Sequence, residues 1–194
     1  MEDVNRKTVT EIFENPITGE KEKLQVSCTI TDQQIEGLKT YNLDINVMLE
    51  NAIQRELDYS KGKKFIDAIV EYANDTFGGA AEINLIMDEN IQYQILRSIK
   101  SFVFSCKSPK LYTNPYVLTI LHNVLENKNF DEHNQGYSYL AGEVKLKRED
   151  VELTVPIYCI PTMTWNQTEA IMYDDEDRKR CLVMKFNIKE KEAN

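Results

Sequence analysis

Apolar and polar residues alternate along much of the first thirty positions, which is the period-two pattern of a half-buried β-strand. Val9, Ile12 and Phe13 precede a cluster with proline and glycine at residues 15–19, and a second alternating run covers residues 24–30. Because proline and glycine favour tight turns, this arrangement predicts two strands joined by a turn. We therefore expect residues 1–30 to form an N-terminal arm built as a β-hairpin.

The spacing of apolar residues changes to three and four after residue 31, which indicates helices. Thr31 and Gln34 have the spacing of a capping box and predict a short helix through Leu38. A longer stripe over residues 44–76 predicts a helix of roughly 50 Å, in which Gly62 is either an interruption or tolerated at about 1 kcal/mol. The apolar positions of this stripe are Ile45, Met48, Leu49, Ala52, Ile53, Leu57, Phe65, Ile66, Ile69, Val70, Ala73 and Phe77.

Glycine and proline mark the element boundaries in the middle of the chain. Gly78 and Gly79 predict the end of the long helix, because glycine adopts positive φ angles readily. The elements predicted next are a short strand at residues 80–87, a helix at 91–103, an extended segment at 111–113, and a helix with Asn114 as N-cap and Pro115 as first residue.

Period-two patterns return after Tyr137 and predict four strands, at residues 137–147, 151–161, 169–173 and 180–188. The charged run at residues 174–180 indicates a hairpin turn between the last two strands. We expect these strands to form an antiparallel sheet. The predicted fold class is α+β, with the arm at residues 1–30 followed by a single body at residues 31–194.

The charge balance excludes some classes of function. The 194 residues include 23 Lys and Arg against 32 Asp and Glu, which gives a formal net charge of −9. Proteins that bind nucleic-acid backbones need clustered basic residues, so we expect no specific nucleic-acid site.

No apolar run approaches the roughly 18–20 residues that span a bilayer. The first residues lack a signal-peptide core, so we expect neither a membrane protein nor a secreted one.

Candidate catalytic residues are few. Either Cys106 or Cys159 could form a thiol–imidazole pair with His122, since histidine can act as the base for a thiol. The simpler interpretation is a surface histidine together with cysteines that are buried as small apolar residues of a protein made in a reducing compartment. The four cysteines of the sequence are Cys28, Cys106, Cys159 and Cys181.

Metal-binding and phosphate-binding motifs are not evident. The second histidine, His133, follows two acidic residues directly, and adjacent residues lack the spacing of metal ligands. The acidic residues 174–177 lack the alternation and the glycine of a calcium loop, and the glycine pair at 78–79 has no phosphate-loop motif around it. The ten tyrosines fit either a partner interface or ordinary strand positions. The residues therefore predict no catalytic site, no cofactor and no metal.

Several short sequence segments occur along the chain in an order that is typical of a known protein family. In the N-terminal half they are FENPITG at residues 13–19 with the strand that starts at Leu24, TDQQIEGLKTYNLD at 31–44 and LENAIQRELD at 49–58. In the C-terminal half they are KLYTNPYVLTIL at 110–121, YLAG at 139–142, VPIYCIP at 155–161 and EAIMY at 169–173. This ordered set resembles the major capsid proteins of tailed bacteriophages, which have the Hong Kong 97-type fold, and most nearly their contractile-tailed branch.

The resemblance implies a Hong Kong 97-like fold in which residues 44–76 are the long spine helix. It also implies a structural virion protein, made in the host cytoplasm, that assembles with itself as a hexamer, pentamer or ring and contacts other virion proteins. The chain is short for this family, and the family's closing Gly-Tyr-Lys-Gly is replaced by residues 173–176. It therefore resembles a minimal shell subunit, a minor or vertex subunit, or a capsid-derived protein.

A shell subunit needs complementary edges rather than a catalytic group. The resemblance and the expected exposure point to the hairpin turn and the charged turn as contact surfaces. The predicted subunit-interface residues are Asn15, Pro16, Thr18, Lys21, Lys23, Asp174, Asp175, Asp177, Arg178 and Arg180. Two alternatives stay open: a small intracellular α+β binding or regulatory protein without enzymatic activity, and an enzyme that uses Cys106 or Cys159 with His122.

Overall fold

The computed structural model describes residues 6–128, 136–163 and 169–191. The fold is α+β, as the sequence predicts, and its elements follow the predicted order. They are β1 (Arg6–Glu14), β2 (Lys21–Thr29), α1 (Asp32–Thr40), α2 (Ile45–Phe77), β3 (Ala81–Met87), α3 (Ile91–Val103), β4 (Pro109–Thr113), α4 (Pro115–Leu121), a 3₁₀ turn (His122–Val124), β5 (Tyr139–Arg148), β6 (Val151–Cys159), β7 (Ala170–Asp174) and β8 (Cys181–Glu190).

The helix boundaries lie where the capping residues are. Thr31 accepts a hydrogen bond from the Gln34 amide, and the Gln34 side chain accepts one from the Thr31 amide, so the predicted capping box is confirmed. Asn114 caps α4 by accepting from the Val117 amide at 2.8 Å. Gly78 ends α2 with a φ of 79°, a left-handed conformation that costs other residues more.

Strands β1 and β2 form an antiparallel hairpin whose register runs from the Arg6–Thr29 pair to the Glu14–Lys21 pair. The hairpin packs on the N-terminal half of α2, where Val26 forms a small buried cluster with Ile53 and Leu57. Ion pairs border this contact, including Lys7 with Glu50 at 2.6 Å, Lys64 with Glu22 at 2.8 Å, and Lys61 with Glu11. The hairpin therefore lies against its own helix along its length.

The remaining strands form one mixed six-stranded sheet in the order β3-β8-β7-β4-β6-β5. The strands after Tyr137 pair antiparallel as expected, β5 with β6 and β7 with β8. The sheet as a whole is mixed rather than antiparallel throughout, because β3 is parallel to β8 and β4 is parallel to β6. Parallel neighbours need long connections, and the many residues between each of these pairs provide them. The short segment β4 is mostly buried in the sheet, whereas β3 buries only Leu85.

The sheet has a helix layer on each face. On one side, Ile171 of β7 belongs to a cluster with Phe65 and Ile69 from the C-terminal half of α2. On the other side, Met172 belongs to a larger cluster with residues of α3 and α4. Successive residues of β7 thus face opposite layers, as the period of a strand requires. Helix α2 consequently contacts the hairpin with its first half and the sheet with its second.

Gly62 lies inside α2 and does not interrupt it. A Cβ atom at this position would lie 2.5 Å from Oγ1 of Thr162 and 3.4 Å from Cγ2 of Ile160. Glycine therefore allows the segment after β6 to approach the helix closely. Of the two sequence interpretations, tolerance within the helix is the correct one, and the close approach is its physical reason.

Candidate functional site: the hairpin turn and the charged turn

The turn between β1 and β2 is organised by Asn15. Its side-chain Oδ1 accepts hydrogen bonds from the amides of Ile17 at 2.8 Å and Thr18 at 3.0 Å. The amide of Asn15 donates to the carbonyl of Glu20 at 2.8 Å and closes the turn. Gly19 has a φ of 75°, which favours glycine. The sequence at residues 15–19 therefore specifies the conformation of this turn through local hydrogen bonds.

The turn between β7 and β8 is organised by the Asp174 carboxylate. This side chain is buried and accepts hydrogen bonds from the amides of Lys107 at 2.9 Å, Ser108 at 3.1 Å and Glu176 at 3.1 Å. Burial alone would raise the pKa of Asp174, but these backbone hydrogen bonds, with one more from Asp177, outweigh it and lower the pKa. The ionised carboxylate joins the charged turn to the segment that precedes β4.

The two turns contact each other within one chain. The Tyr173 hydroxyl donates to the carbonyl of Pro16 at 2.5 Å, and Arg178 Nη2 donates to Glu14 Oε1 at 2.6 Å. A Cβ atom on Gly19 would lie 2.9 Å from Arg178 Nη1, so the guanidinium also lies close to the hairpin backbone. The hydrogen bond from Arg178 is the main cause that lowers the pKa of Glu14. The two predicted contact surfaces therefore form one continuous surface.

A cluster of aromatic rings packs beneath the two turns, on the protein side of this surface. The Phe65 ring lies 4.8 Å from Tyr112, 5.4 Å from Tyr137 and 6.1 Å from Tyr173, measured between ring centroids. Burial raises the pKa of Tyr137 and of Tyr173 to about 12, and it also raises the pKa of Tyr112. The three hydroxyls therefore stay protonated at neutral pH. A cavity of about 250 Å³ lies between these rings and the turns, with Lys110, Asp175 and Arg178 in its wall.

The exposure expected of the predicted interface residues holds for most of them. Thr18, Lys21, Lys23, Asp175, Asp177 and Arg178 are exposed, while Asn15 and Arg180 are half-buried. The expected exposure is wrong for Pro16 and Asp174, which are both buried. Pro16 is covered because its carbonyl receives the Tyr173 hydroxyl, and Asp174 because backbone amides surround its carboxylate. The interface role of the ten residues stays a prediction.

Sequence reasoning missed Glu14 and Tyr173 as the residues that join the two turns. In the sequence, Tyr173 stands out only as the last residue of EAIMY, and Glu14 only as the second residue of FENPITG. Their partners lie 157 and 164 positions away along the chain. No local pattern encodes a contact across that separation, although the opposite charges of Glu14 and Arg178 in two predicted turns were a usable signal.

The surroundings of Cys106 do not activate its thiol. Burial, with a smaller contribution from the charge of Asp174, raises the pKa of Cys106 to about 11. Burial raises the pKa of Cys181 to about 11 as well. Cys159 is buried in β6, and His122 lies exposed in the 3₁₀ turn after α4. A catalytic cysteine needs a lowered thiol pKa, which is the opposite direction.

Metal ligands do not converge in the described ranges 6–128, 136–163 and 169–191, where no group of three or more His, Cys, Asp or Glu could hold an ion. The acidic residues 174–177 are no exception, since Asp174 is occupied by backbone amides. His133 and its acidic neighbours at 131–132 lie outside the described residues. Among the helices that the structure describes, none has the length and apolar character to cross a membrane.

Comparison of the chain with protein-family models, with curated proteins and with solved structures found no match.

Proposed function

We propose that this chain is a structural subunit of a tailed-phage head with a Hong Kong 97-type fold. It assembles with itself into a hexamer, pentamer or ring and contacts other virion proteins, and it works without a catalytic group. The observation that carries the proposal is α2, an unbroken helix of 33 residues that follows the hairpin and the short helix α1 and precedes the sheet. Two antiparallel helices in its place would have contradicted the capsid interpretation.

The surface made by the two turns supports a role in assembly. Its exposed side chains carry both signs, with Lys21 and Lys23 on the hairpin and Asp175 and Asp177 on the charged turn. Complementary charges fix the orientation of a partner more than they add to affinity. A subunit that must meet identical neighbours in one geometry needs such a surface, and Asn15 and Asp174 hold the two turns in defined conformations.

The test is light scattering over a concentration series, with electron micrographs of the same fractions. We expect rings, tubes or closed shells from the unmodified chain. The variant K21E/K23E should assemble less, because it reverses both hairpin lysines while leaving the Asn15 turn intact. The matched control K147E/R148E makes the same charge change at the exposed end of β5 and should assemble like the unmodified chain. Circular dichroism verifies that all three chains are folded.

A strict monomer of 22.6 kDa at every concentration would contradict the proposal. It would favour instead the small intracellular binding protein, which needs no self-association. Assembly of K21E/K23E at the level of the unmodified chain would leave the shell role in place and remove the hairpin lysines from its contacts.

A further inference from the structure

The cavity of about 250 Å³ between the aromatic rings and the two turns brings several polar side chains together. Its wall includes Lys110 and Tyr112 from β4, Tyr137 from the segment before β5, and Asp175 and Arg178 from the charged turn. Three separate segments contribute these residues, so the set is assembled only by folding. We call this space the tyrosine cavity. Pockets for drug-sized ligands have about 300–1,000 Å³, so this one has the size for a smaller molecule with a single ring.

Two tyrosine hydroxyls of this wall have no acceptor among the described residues. Tyr173, which also borders the cavity, donates to the carbonyl of Pro16 at 2.5 Å. No residue in the described part of the chain accepts a hydrogen bond from the hydroxyl of Tyr112 or of Tyr137. Burial is the main reason that the pKa of both groups is raised, so both hydroxyls are protonated at neutral pH. They are therefore available as donors to a ligand.

The charged side chains of the wall form two ion pairs. Lys110 Nζ lies 2.9 Å from Asp175 Oδ2, and Arg178 Nη2 lies 2.6 Å from Glu14 Oε1. With two cations and two carboxylates, the wall itself carries no formal net charge. An anionic ligand would meet the carboxylates and a cationic one the ammonium and the guanidinium. Each pair still has donors and acceptor oxygens that are not used, because an ammonium has three donors, a guanidinium five and a carboxylate two oxygens.

These groups together specify the chemistry of a ligand. A wall that is neutral and offers donors beside acceptors is matched by a neutral molecule whose groups do both, and a hydroxyl has one donor and two acceptor lone pairs. The rings of Phe65, Tyr112 and Tyr137 add apolar faces to the wall, and aromatic faces attract C–H groups because they are negative. A ring with several hydroxyls on a C–H framework combines both properties. It would displace the ordered water that polar cavities hold.

We propose that the tyrosine cavity binds a monosaccharide ring. Sugar hydroxyls accept hydrogen bonds from Tyr112 and Tyr137 and donate to Asp175, while the C–H face of the ring packs on the aromatic side of the wall. The site holds the sugar and carries out no reaction on it. A free sugar and the terminal ring of a glycan present the same chemistry. This inference goes beyond the proposed role in a shell and does not depend on self-assembly.

Saturation-transfer NMR with glucose, galactose, mannose and N-acetylglucosamine tests the proposal. The method observes the sugar, so it works whether the chain is monomeric or assembled. We expect saturable binding of at least one of the four, with the strongest transfer when the aromatic protons of the protein are irradiated. The methyl glycoside of that sugar distinguishes the two sources. Equal binding of the glycoside supports the terminal ring of a glycan, and weaker binding supports the free sugar.

The variant Y112F/Y137F removes the two hydroxyls and keeps both rings. We expect its affinity for the sugar to be about tenfold lower, because two hydrogen bonds are lost, and the single variants Y112F and Y137F should each lose part of that affinity. Y158F is the matched control, because Tyr158 stacks on Tyr112 with ring centroids 5.2 Å apart and is not part of the cavity wall. It should bind like the unmodified chain. Circular dichroism verifies that all variants are folded.

Three results would overturn the proposal, and none of them bears on self-assembly. The first is that none of the four sugars binds saturably at any concentration up to its solubility. The second is equal binding by Y112F/Y137F and the unmodified chain, which would place the sugar elsewhere. The third is displacement of the sugar by inorganic phosphate or by tetramethylammonium at lower concentration than the sugar itself requires, since the site would then select a charged ligand.

Discussion

The Asp174 carboxylate is buried and receives backbone amides from two segments that are far apart in sequence. Its pKa is lowered below the ordinary 3.8. A carboxyl whose pKa is lowered by folding stabilises the protein above its unfolded pKa, and this stabilisation is lost as the pH falls through the folded pKa. We expect D174N to lower the free energy of unfolding at neutral pH by about 1–3 kcal/mol, since a charged acceptor is lost.

Chemical denaturation at a series of pH values measures this effect. The difference between the unmodified chain and D174N should be full at neutral pH and should shrink below pH 3.8, the ordinary carboxyl value. E176Q is the control, because Glu176 is an exposed carboxylate of the same turn. A constant difference between the unmodified chain and D174N at all pH values would show that charge is not the cause.

Gly62 and Gly37 are both helical, yet alanine should have opposite effects at the two positions. A Cβ at Gly62 would lie 2.5 Å from Thr162 Oγ1, whereas nothing lies within 4 Å of one at Gly37. We expect G62A to cost about 1–3 kcal/mol of stability through overpacking, and G37A to add about 0.5–1 kcal/mol through reduced backbone entropy of the unfolded chain. Thermal unfolding measures both.

Thr162 provides the internal check on this prediction. Its hydroxyl is buried and has no hydrogen-bond partner in the part of the chain that the structure describes. In the double variant G62A/T162A the clashing atom is absent, so most of the stability lost in G62A should return. Equal stability of G62A and G62A/T162A would mean that the close approach at Thr162 is not what requires glycine.

The side chain of Gln94 hydrogen-bonds to the backbone on the outer edge of β3, the strand at one end of the sheet. The side chain accepts from the Ile86 amide at 2.9 Å and donates to the Ile86 carbonyl at 3.0 Å, as a neighbouring strand would. Unpaired edge strands promote association through backbone hydrogen bonds. We expect Q94L to aggregate faster on mild heating, as followed by light scattering, while Q92L on the same helix behaves like the unmodified chain.

The contact between Glu14 and Arg178 couples the hairpin turn to the sheet. Both side chains are exposed, so we expect a small effect on global stability and a clear effect on local opening. In E14R and in R178E, hydrogen exchange of the Asn15 amide should become faster, because the turn is less firmly held. The double variant E14R/R178E should restore slow exchange. K23E is the control, since Lys23 is an exposed charge of the same hairpin whose cross-strand partner is Ile12 rather than Glu14.

Elements with local signals were predictable from the sequence, and pairings between distant elements were not. Thr31, Asp44 and Gly78 fix helix ends through their own side chains or backbone conformations, so the helix boundaries agree with the sequence analysis. The parallel pairing of β3 with β8 depends on burial across the whole molecule. In the same way, the charged turn was visible as a run of residues, but its contact with Pro16 and Glu14 was not.

The whole molecule has two cores of unequal size along α2. The hairpin covers the first half of the helix through a small cluster of buried residues, Val26, Ile53 and Leu57. The second half packs on the sheet with Phe65, Ile66, Ile69 and Ala73, within a much larger cluster. Regions with few buried apolar contacts open at lower free energy than large cores. The part of the hairpin around Val9 and Val26 should therefore open together with the first half of α2, whereas Phe13 and the hairpin turn belong to the sheet side.

Hydrogen exchange resolved by peptide tests this division. We expect peptides within residues 24–57 to exchange faster than peptides within residues 65–77, although both groups include parts of the same continuous helix. V26D should accelerate exchange of the first group strongly, because it buries a charge against Ile53 and Leu57, and should leave the second group nearly unchanged. V151D, at an exposed position of β6, is the matched control. Equal acceleration along all of α2 would show that the helix opens as one unit, and the hairpin would then belong to the same cooperative core as the sheet.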